Sequence, residues 1–391
     1  MPISLMEKLK AVDKPKPRPA APVLASTACY HLESRMGSEG FPACLNLSSQ
    51  TLGWMLGQKT PENIDPYRIV YLDTETTGLS GGVGTIAFQV GAGYFSKDGS
   101  FTVHQWVMRD YPEERFVLTA LEALLDDFDV VVTFNGRTFD LPLLQARMLM
   151  NRMPSVSIDR LFHADLLHPA RRVWKLRLGS CRLSRLEEEI FHEPRDHDLP
   201  GSEVPERFFQ YLKTGNFSLL GDVLDHNRQD IASLAKLLYR LMAVYEKPEQ
   251  QSFLEDIFSV GRALEKQGEV SLARKCYHMC SGGSIGVQAQ LNLGQSYRRL
   301  RETDEAIAAY QRMIASREGG LVPHIELAKL YEHQKRDVKK ALEITRTALL
   351  LASEPMLLGK NAMQETQNAL QYRYMRLMHK AQRLNSTKEA R

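Results

Sequence analysis

The chain has 391 residues, more than one hydrophobic core usually organises, so two domains are expected, or three if one is small. Its 43% apolar and 25% charged residues exclude wholesale disorder and fibrous classes, and no stretch approaches the ~18 to 20 apolar residues of a membrane helix. A net charge of +3 is too small to name a polyanionic partner, and five scattered cysteines make no disulfide framework.

The first two dozen residues carry five prolines together with Lys8, Lys10, Lys14, Lys16 and Arg18, without apolar periodicity. They predict a disordered basic arm over 1–24, followed by an N-terminal extension over 25–66. The start, MPISLMEKLKAVDKPKP, lacks an apolar core with a cleavage site, so a cytoplasmic protein without membrane contact is expected. From Tyr67, three β-branched runs, RIVYLDTET, TIAFQVGAGYF and FTVHQWVMRD, are linked by glycine-rich or Lys-Asp-Gly turns and predict an antiparallel meander. A helix (FVLTALEALLDDF), a buried strand (VVVTF) and a second helix opening near Thr138 follow. Strands first and alternation afterwards predict an α/β layer with a mixed sheet over 67–248. Short helices are expected between Ser180 and Gly215, then a long amphipathic helix from Leu220 that Pro248 terminates.

Beyond Gln250 the pattern is helical and repeats. Val260-Gly261 with Leu264, Ala273 and Tyr277 recurs as Leu293-Gly294 with Tyr297, Ala306 and Tyr310. It recurs again as Leu327-Ala328 with Tyr331, Ala341 and Ala348. The small residues stand 33 and 34 positions apart, the period of the tetratricopeptide repeat. An all-α solenoid over 251–391 with ALQYRYMRLMHKAQRL as its capping helix is expected. Cys276, His278 and Cys280 lie inside a repeat helix without a fourth ligand and are assigned to core packing, not zinc.

Asp73 and Glu75 are two residues apart at the end of the first strand, so both carboxylates lie on one face. They repel each other and lose hydration there unless a divalent cation neutralises them, the alternative being a frayed, solvated strand end. Asp140 follows the buried strand in TFNGRTFDLPLL; in a first helical turn it also suits the helix dipole. On the long helix, Val223, Asp230, Leu234, Leu237 and Leu241 share a stripe, so Asp230 stands where the period calls for an apolar residue. His226 lies one turn before it. Four acids from three segments and a histidine are what a two-metal phosphoryl-transfer centre requires, with cations ~3.5 to 4 Å apart.

With Asp73-Thr74-Glu75, Asn135 to Asp140 (N-x-x-x-F-D) and His226 to Asp230, the region resembles the DEDD, or DnaQ-like, exonuclease superfamily on a ribonuclease-H-like fold. DTETTGLSGGVGT, VTFNGRTFDLP, DLLHPARRVW, GSCRL and HNRQDI make the chain, over roughly residues 30 to 350, similar to a bacterial family. That family is the ribonuclease-H-like exonucleases with a C-terminal tetratricopeptide domain. The resemblance implies 3′-5′ hydrolysis of DNA, RNA not being excluded, with two Mg²⁺ or Mn²⁺ ions, in repair beside a helicase partner. It implies Asp73 on both metals, Glu75 and Asp230 on the first, Asp140 on the second, and His226 as general base. Three residues separate His226 from Asp230, whereas the histidine branch of the superfamily has four, so the ligand role of Asp230 is the firmer of the two. Asp165 and Asp222 are assigned structural or supporting roles.

For the substrate, the resemblance implies that Thr76, Thr77 and Gly78 meet the terminal nucleotide, and Leu79, Asn135 and Phe139 are grouped with them. The segment RRVWKLRLGSCRLSR offers Arg171, Arg172 and Lys175 to phosphates and Trp174 to an unpaired base, or else forms a solvated helix face around a core tryptophan. The rival functions are an exoribonuclease and a non-catalytic tetratricopeptide scaffold.

Overall fold

The computed structural model describes residues 29–37, 40–41, 45–78, 84–195, 199–353 and 360–389. The basic arm expected over 1–24 lies outside them. The chain divides into two compact units, Met1–Lys247 and Pro248–Arg391.

The first unit opens with strand β1 (Tyr30–Met36) and helix α1 (Ser49–Leu56), whose first turn is capped by the Ser48 side chain accepting from the Thr51 N–H. The expected meander follows as β2 (Ile69–Thr76), β3 (Ala87–Phe95) and β4 (Phe101–Val107). Then come α2 (Glu114–Leu125), β5 (Val130–Thr133), α3 (Asp140–Met150), α4 (Val156–Arg160) and β6 (Phe162–Asp165). Helices α5 (Leu167–Leu178), α6 (Leu183–Leu186), α7 (Val204–Thr214) and the long α8 (Gly221–Glu246) complete it. The six strands form one mixed sheet in the order β1-β4-β3-β2-β5-β6, with β1 to β4 pairing antiparallel and β2, β5 and β6 parallel. The fold is thus the mixed α/β layer the pattern predicts.

Period-two alternation divides the sheet chemically. Val70, Leu72, Phe88, Val90 and Trp106 join Leu121, Leu144 and Phe208 in one apolar cluster, so α2, α3 and α7 cover that face. The other face presents Asp73, Glu75, Gln89, Gly91, Gly93 and Gln105 toward α8. There the glycines are obligatory, because a Cβ on Gly91 would stand 2.1 Å from Asn227 Oδ1, and one on Gly93 would stand 2.5 Å from Ile231 Cγ2. Close approach of α8 to the strands is therefore written into β3.

The second unit is helical throughout. It contains α9 (Leu254–Lys266), α10 (Val270–Met279), α11 (Gly283–Arg299), α12 (Thr303–Ala315), α13 (Val322–His333), α14 (Val338–Ala352) and α15 (Lys360–Glu389). The small-residue logic is realised in space: a Cβ on Gly261 would meet the Tyr277 ring at 2.9 Å, and one on Gly294 the Tyr310 ring at 2.7 Å. Helix α15 is tied to α13 by Arg373 and Arg376, which donate to the buried Glu332. Cys276 and Cys280 are fully buried, and burial pushes their thiols up to about 12 and about 11, as core residues rather than ligands. Among the described residues no helix is long and apolar enough to cross a membrane.

Candidate active site

Asp73 stands on β2 directly opposite Gly91 of β3. The gap left by that glycine admits Asn227 of α8, whose Nδ2 donates to Asp73 Oδ2 at 2.8 Å. Asn227 Oδ1 in turn accepts from Gln89 Nε2 at 3.1 Å and Gln105 Nε2 at 3.0 Å, and Gln105 also donates to the Leu224 carbonyl at 2.8 Å. All three amides are buried, so this network fixes the α8 register against the sheet and holds one oxygen of Asp73 in place. Burial, then the charges of Asp230, Glu75 and Asp140, raise the Asp73 carboxyl well above the usual carboxylate range, against the Asn227 hydrogen bond that lowers it. Three acids from separate segments therefore act electrostatically on Asp73.

The loop leading to Asp140 is built by a further acid. Asp165, at the end of β6, accepts from the backbone N–H groups of Asn135 at 2.9 Å, Arg137 at 3.0 Å and Leu167 at 3.0 Å. Its carboxylate fills the concavity of these donors and joins the loop to the start of α5, the supporting role expected of it. Asn135 adopts φ +71°, a left-handed conformation that asparagine tolerates better than most residues. Asp140, the first residue of α3, accepts from Thr74 Oγ1 at 2.6 Å. Burial pushes its carboxyl up to about 6, although that hydrogen bond and the backbone donors pull downward.

On α8, His226 Nε2 lies 3.7 Å from Asp230 Oδ2, beyond hydrogen-bonding reach. Between them reaches Arg195, a residue sequence reasoning missed. Its Nη2 donates to Asp230 Oδ1 and its Nη1 to His226 Nδ1, the latter at 3.1 Å. The guanidinium is held from behind by Glu187, through Nη2 to Oε1 at 2.7 Å and through Nε to Oε2, while Ser233 Oγ also donates to Glu187. Side-chain exposure is 5% for Arg195 and 1% for Glu187, so this is a buried ion pair anchored by a fork of donors. Arginine can only donate, so Nδ1 of His226 must accept, and the neutral ring carries its proton on Nε2.

The remaining expected contacts divide sharply. Trp174 is 1% exposed in the core, so its ring is not available to stack on a base; this corrects the substrate role expected of it. The reason is periodic, since Leu167, Ala170 and Trp174 lie on the buried stripe of α5. Arg172 is likewise corrected: its Nη1 donates to the Met55 carbonyl at 2.7 Å and braces α1. Thr76 is buried and donates to the Gly78 carbonyl at 2.9 Å, and Thr77 Oγ1 accepts from the Ile86 N–H at 3.1 Å, so both hydroxyls serve the turn. Leu79 lies outside the described residues. Asn135 is exposed, Phe139 is half-buried, and Arg171 and Lys175 are exposed on α5. Asp222 faces solvent with Arg207 Nη2 at 4.0 Å. Of the residues missed, Gln89 and Gln105 carried a signal, as polar residues in phase with Gly91 and Gly93 inside apolar strands. Arg195 carried none, because only the tertiary fold brings its loop to α8.

A hard divalent cation suits the donors Asp73, Glu75, Asp140 and Asp230, all of them carboxylates. Among the described residues, however, no three His, Cys, Asp or Glu side chains stand close enough to hold an ion as they are. In this arrangement Arg195 engages Asp230, and Thr74 engages Asp140.

Two family models match parts of the chain. Residues 70–242 match the RNase_H superfamily, and residues 288–317 match the tetratricopeptide repeat. A Bacillus subtilis (strain 168) protein described as uncharacterized protein YprB is 29% identical over 293 residues, 72% of this chain and 69% of that protein. Among solved structures, the family B DNA polymerase of the hyperthermophilic archaeon Pyrobaculum calidifontis aligns over 54% of this chain at 15% identity and a TM-score of 0.37. The chain spans only 30% of that polymerase. An RNase_H superfamily domain and a tetratricopeptide repeat are thus present.

Proposed function

We propose that the first unit is a metal-dependent 3′-5′ exonuclease of the DEDD type acting on DNA. The observation that carries this reading is geometric: Asp73 and Glu75 share one face of β2, Thr74 between them donates to Asp140, and α8, which carries Asp230, donates to Asp73 through Asn227. These four carboxylates are the residues to hold two Mg²⁺ or Mn²⁺ ions, which when bound clamp the attacking and leaving oxygens of a phosphodiester. Asn227 keeps Asp73 oriented, and Asp165 keeps the loop before Asp140 in shape. His226 is the candidate base, and it can take a proton from water only once Arg195 withdraws from Nδ1. Direction, DNA substrate, a helicase partner on the repeat unit and a role in repair rest on the family resemblance of the motifs; RNA is the alternative substrate.

One observation favours a second reading, a non-catalytic interaction scaffold: Arg195 already neutralises Asp230 as an internal counter-ion. The readings part on incubation of 3′- and 5′-labelled single-stranded, duplex and RNA oligonucleotides with Mg²⁺, Mn²⁺ or EDTA. The exonuclease shortens substrates from the 3′ end only with metal, and Asp73→Ala and Asp230→Ala abolish shortening. Metal-independent or absent shortening, or unaffected variants, would sink the enzyme reading.

A further inference from the structure

Helix α5 carries more charge than its fold requires. Arg171 and Lys175, one turn apart, share an exposed face of α5, and Arg182 follows in the turn before α6. With Phe134, Asn135 and the Gly179 turn they line a cavity of about 520 Å³. No carboxylate is among the described residues that line it. Elsewhere in the same segment the cations are spoken for: Arg172 braces α1 and Arg185 pairs with Glu188 at 2.8 Å and Glu189 at 2.7 Å. The C-terminal end of α5 contributes roughly half a negative charge, and Asp165, behind the lining residues Asn135 and Leu167, contributes one more; three full positive charges outweigh both.

We propose that this cavity is a seat for backbone phosphates of a single-stranded nucleic acid, beside the site where its end is cleaved. The inference rests on the nuclease reading and adds where the strand runs. Asn135, on the cavity wall, is five residues from Asp140, so at most about 18 Å of extended chain separates the two. That is close enough for one strand to occupy both. Recognition is mainly by charge: Trp174 is buried beneath the helix, and Phe134 is the aromatic side chain on the cavity wall, where stacking would tolerate any base.

The test is binding of a labelled single-stranded oligonucleotide in EDTA, followed by anisotropy across a salt series, with inorganic phosphate as a separate arm. Each phosphate contact on a single strand contributes about 0.7 to the slope of log affinity against log salt. Replacing Arg171→Gln, Lys175→Gln and Arg182→Gln together is expected to flatten the slope by about 2 and weaken binding roughly 100-fold near 0.1 M salt. Arg185→Gln, a control outside the cavity, leaves the slope unchanged. Because the three side chains are exposed, an unaltered thermal melt confirms folding. Wild-type slope and affinity in the triple variant, in a protein that still cleaves, overturn the seat and spare the nuclease. Inorganic phosphate that binds the cavity while the oligonucleotide does not also overturns it. A wild-type protein that neither binds nor cleaves overturns both.

Discussion

Arg195 donates to Asp230 and to His226 with one guanidinium, binding a candidate metal ligand and the candidate base to a single buried cation. Its own anchor is Glu187, which is completely buried. Arg195→Ala therefore leaves a buried carboxylate without its partner, and a loss of about 3 to 5 kcal/mol in urea unfolding is expected. Arg195→Ala combined with Glu187→Gln recovers a substantial part of that loss. A single variant as stable as wild type would show that the pair contributes no net stability.

Without metal, Asp140 makes stability depend on pH. Its folded value, about 6, exceeds the unfolded value near 3.8, so the protonated form is favoured by folding. The contribution is fully present below the unfolded value and is lost as pH rises through the folded one. Measured in EDTA against wild type, Asp140→Asn should gain about 2 kcal/mol in relative stability between pH 4 and pH 7.5. A difference that stays flat across this window contradicts the assignment.

Gly91→Ala places a methyl group into Asn227 and Ile231, at 2.1 and 2.4 Å from their nearest atoms. Either α8 withdraws from β3 or Asn227 leaves Asp73. A destabilisation of about 1 to 3 kcal/mol is expected, together with loss of hydrolysis beyond what the melt explains. Gly294→Ala meets the Tyr310 ring in the second unit and should destabilise its own helices while leaving the chemistry at Asp73 intact. Thermal melts paired with cleavage rates separate the two.

His226→Gln should slow hydrolysis by about 100- to 10,000-fold and leave Mn²⁺ binding near the wild-type level, as expected of a general base. Titration calorimetry alongside single-turnover rates distinguishes this from loss of the metal. An unchanged rate moves the base elsewhere.

Much of this arrangement was legible because it is periodic. The meander, the α8 stripe interrupted by Asp230, and the glycine-tyrosine pairs of the repeats all follow from spacing. Two strands were not read from the pattern: β1 (YHLESRM) alternates Tyr30, Leu32 and Met36 with His31, Glu33 and Arg35, but it is a single half-exposed edge strand far in sequence from the meander it joins, and β6 (FHAD) has four residues, too few to show a period. For Trp174 the sequence left a base-stacking and a core reading open, and its spacing from Leu167 and Ala170 already favoured the core. The Glu187–Arg195 pair depends on a loop folding back against α8, which no local pattern encodes.

The position of β1 has a practical consequence. The superfamily match begins at residue 70, yet the strand that closes the β4 side of the sheet is contributed by Tyr30–Met36. A fragment trimmed to the match would bare the hydrogen-bonding groups of β4 along seven residue pairs, leaving a sticky rim on which copies can stack strand to strand. Recombinant work on the first unit alone therefore has to begin upstream of Tyr30, or insolubility will be mistaken for a failed activity test.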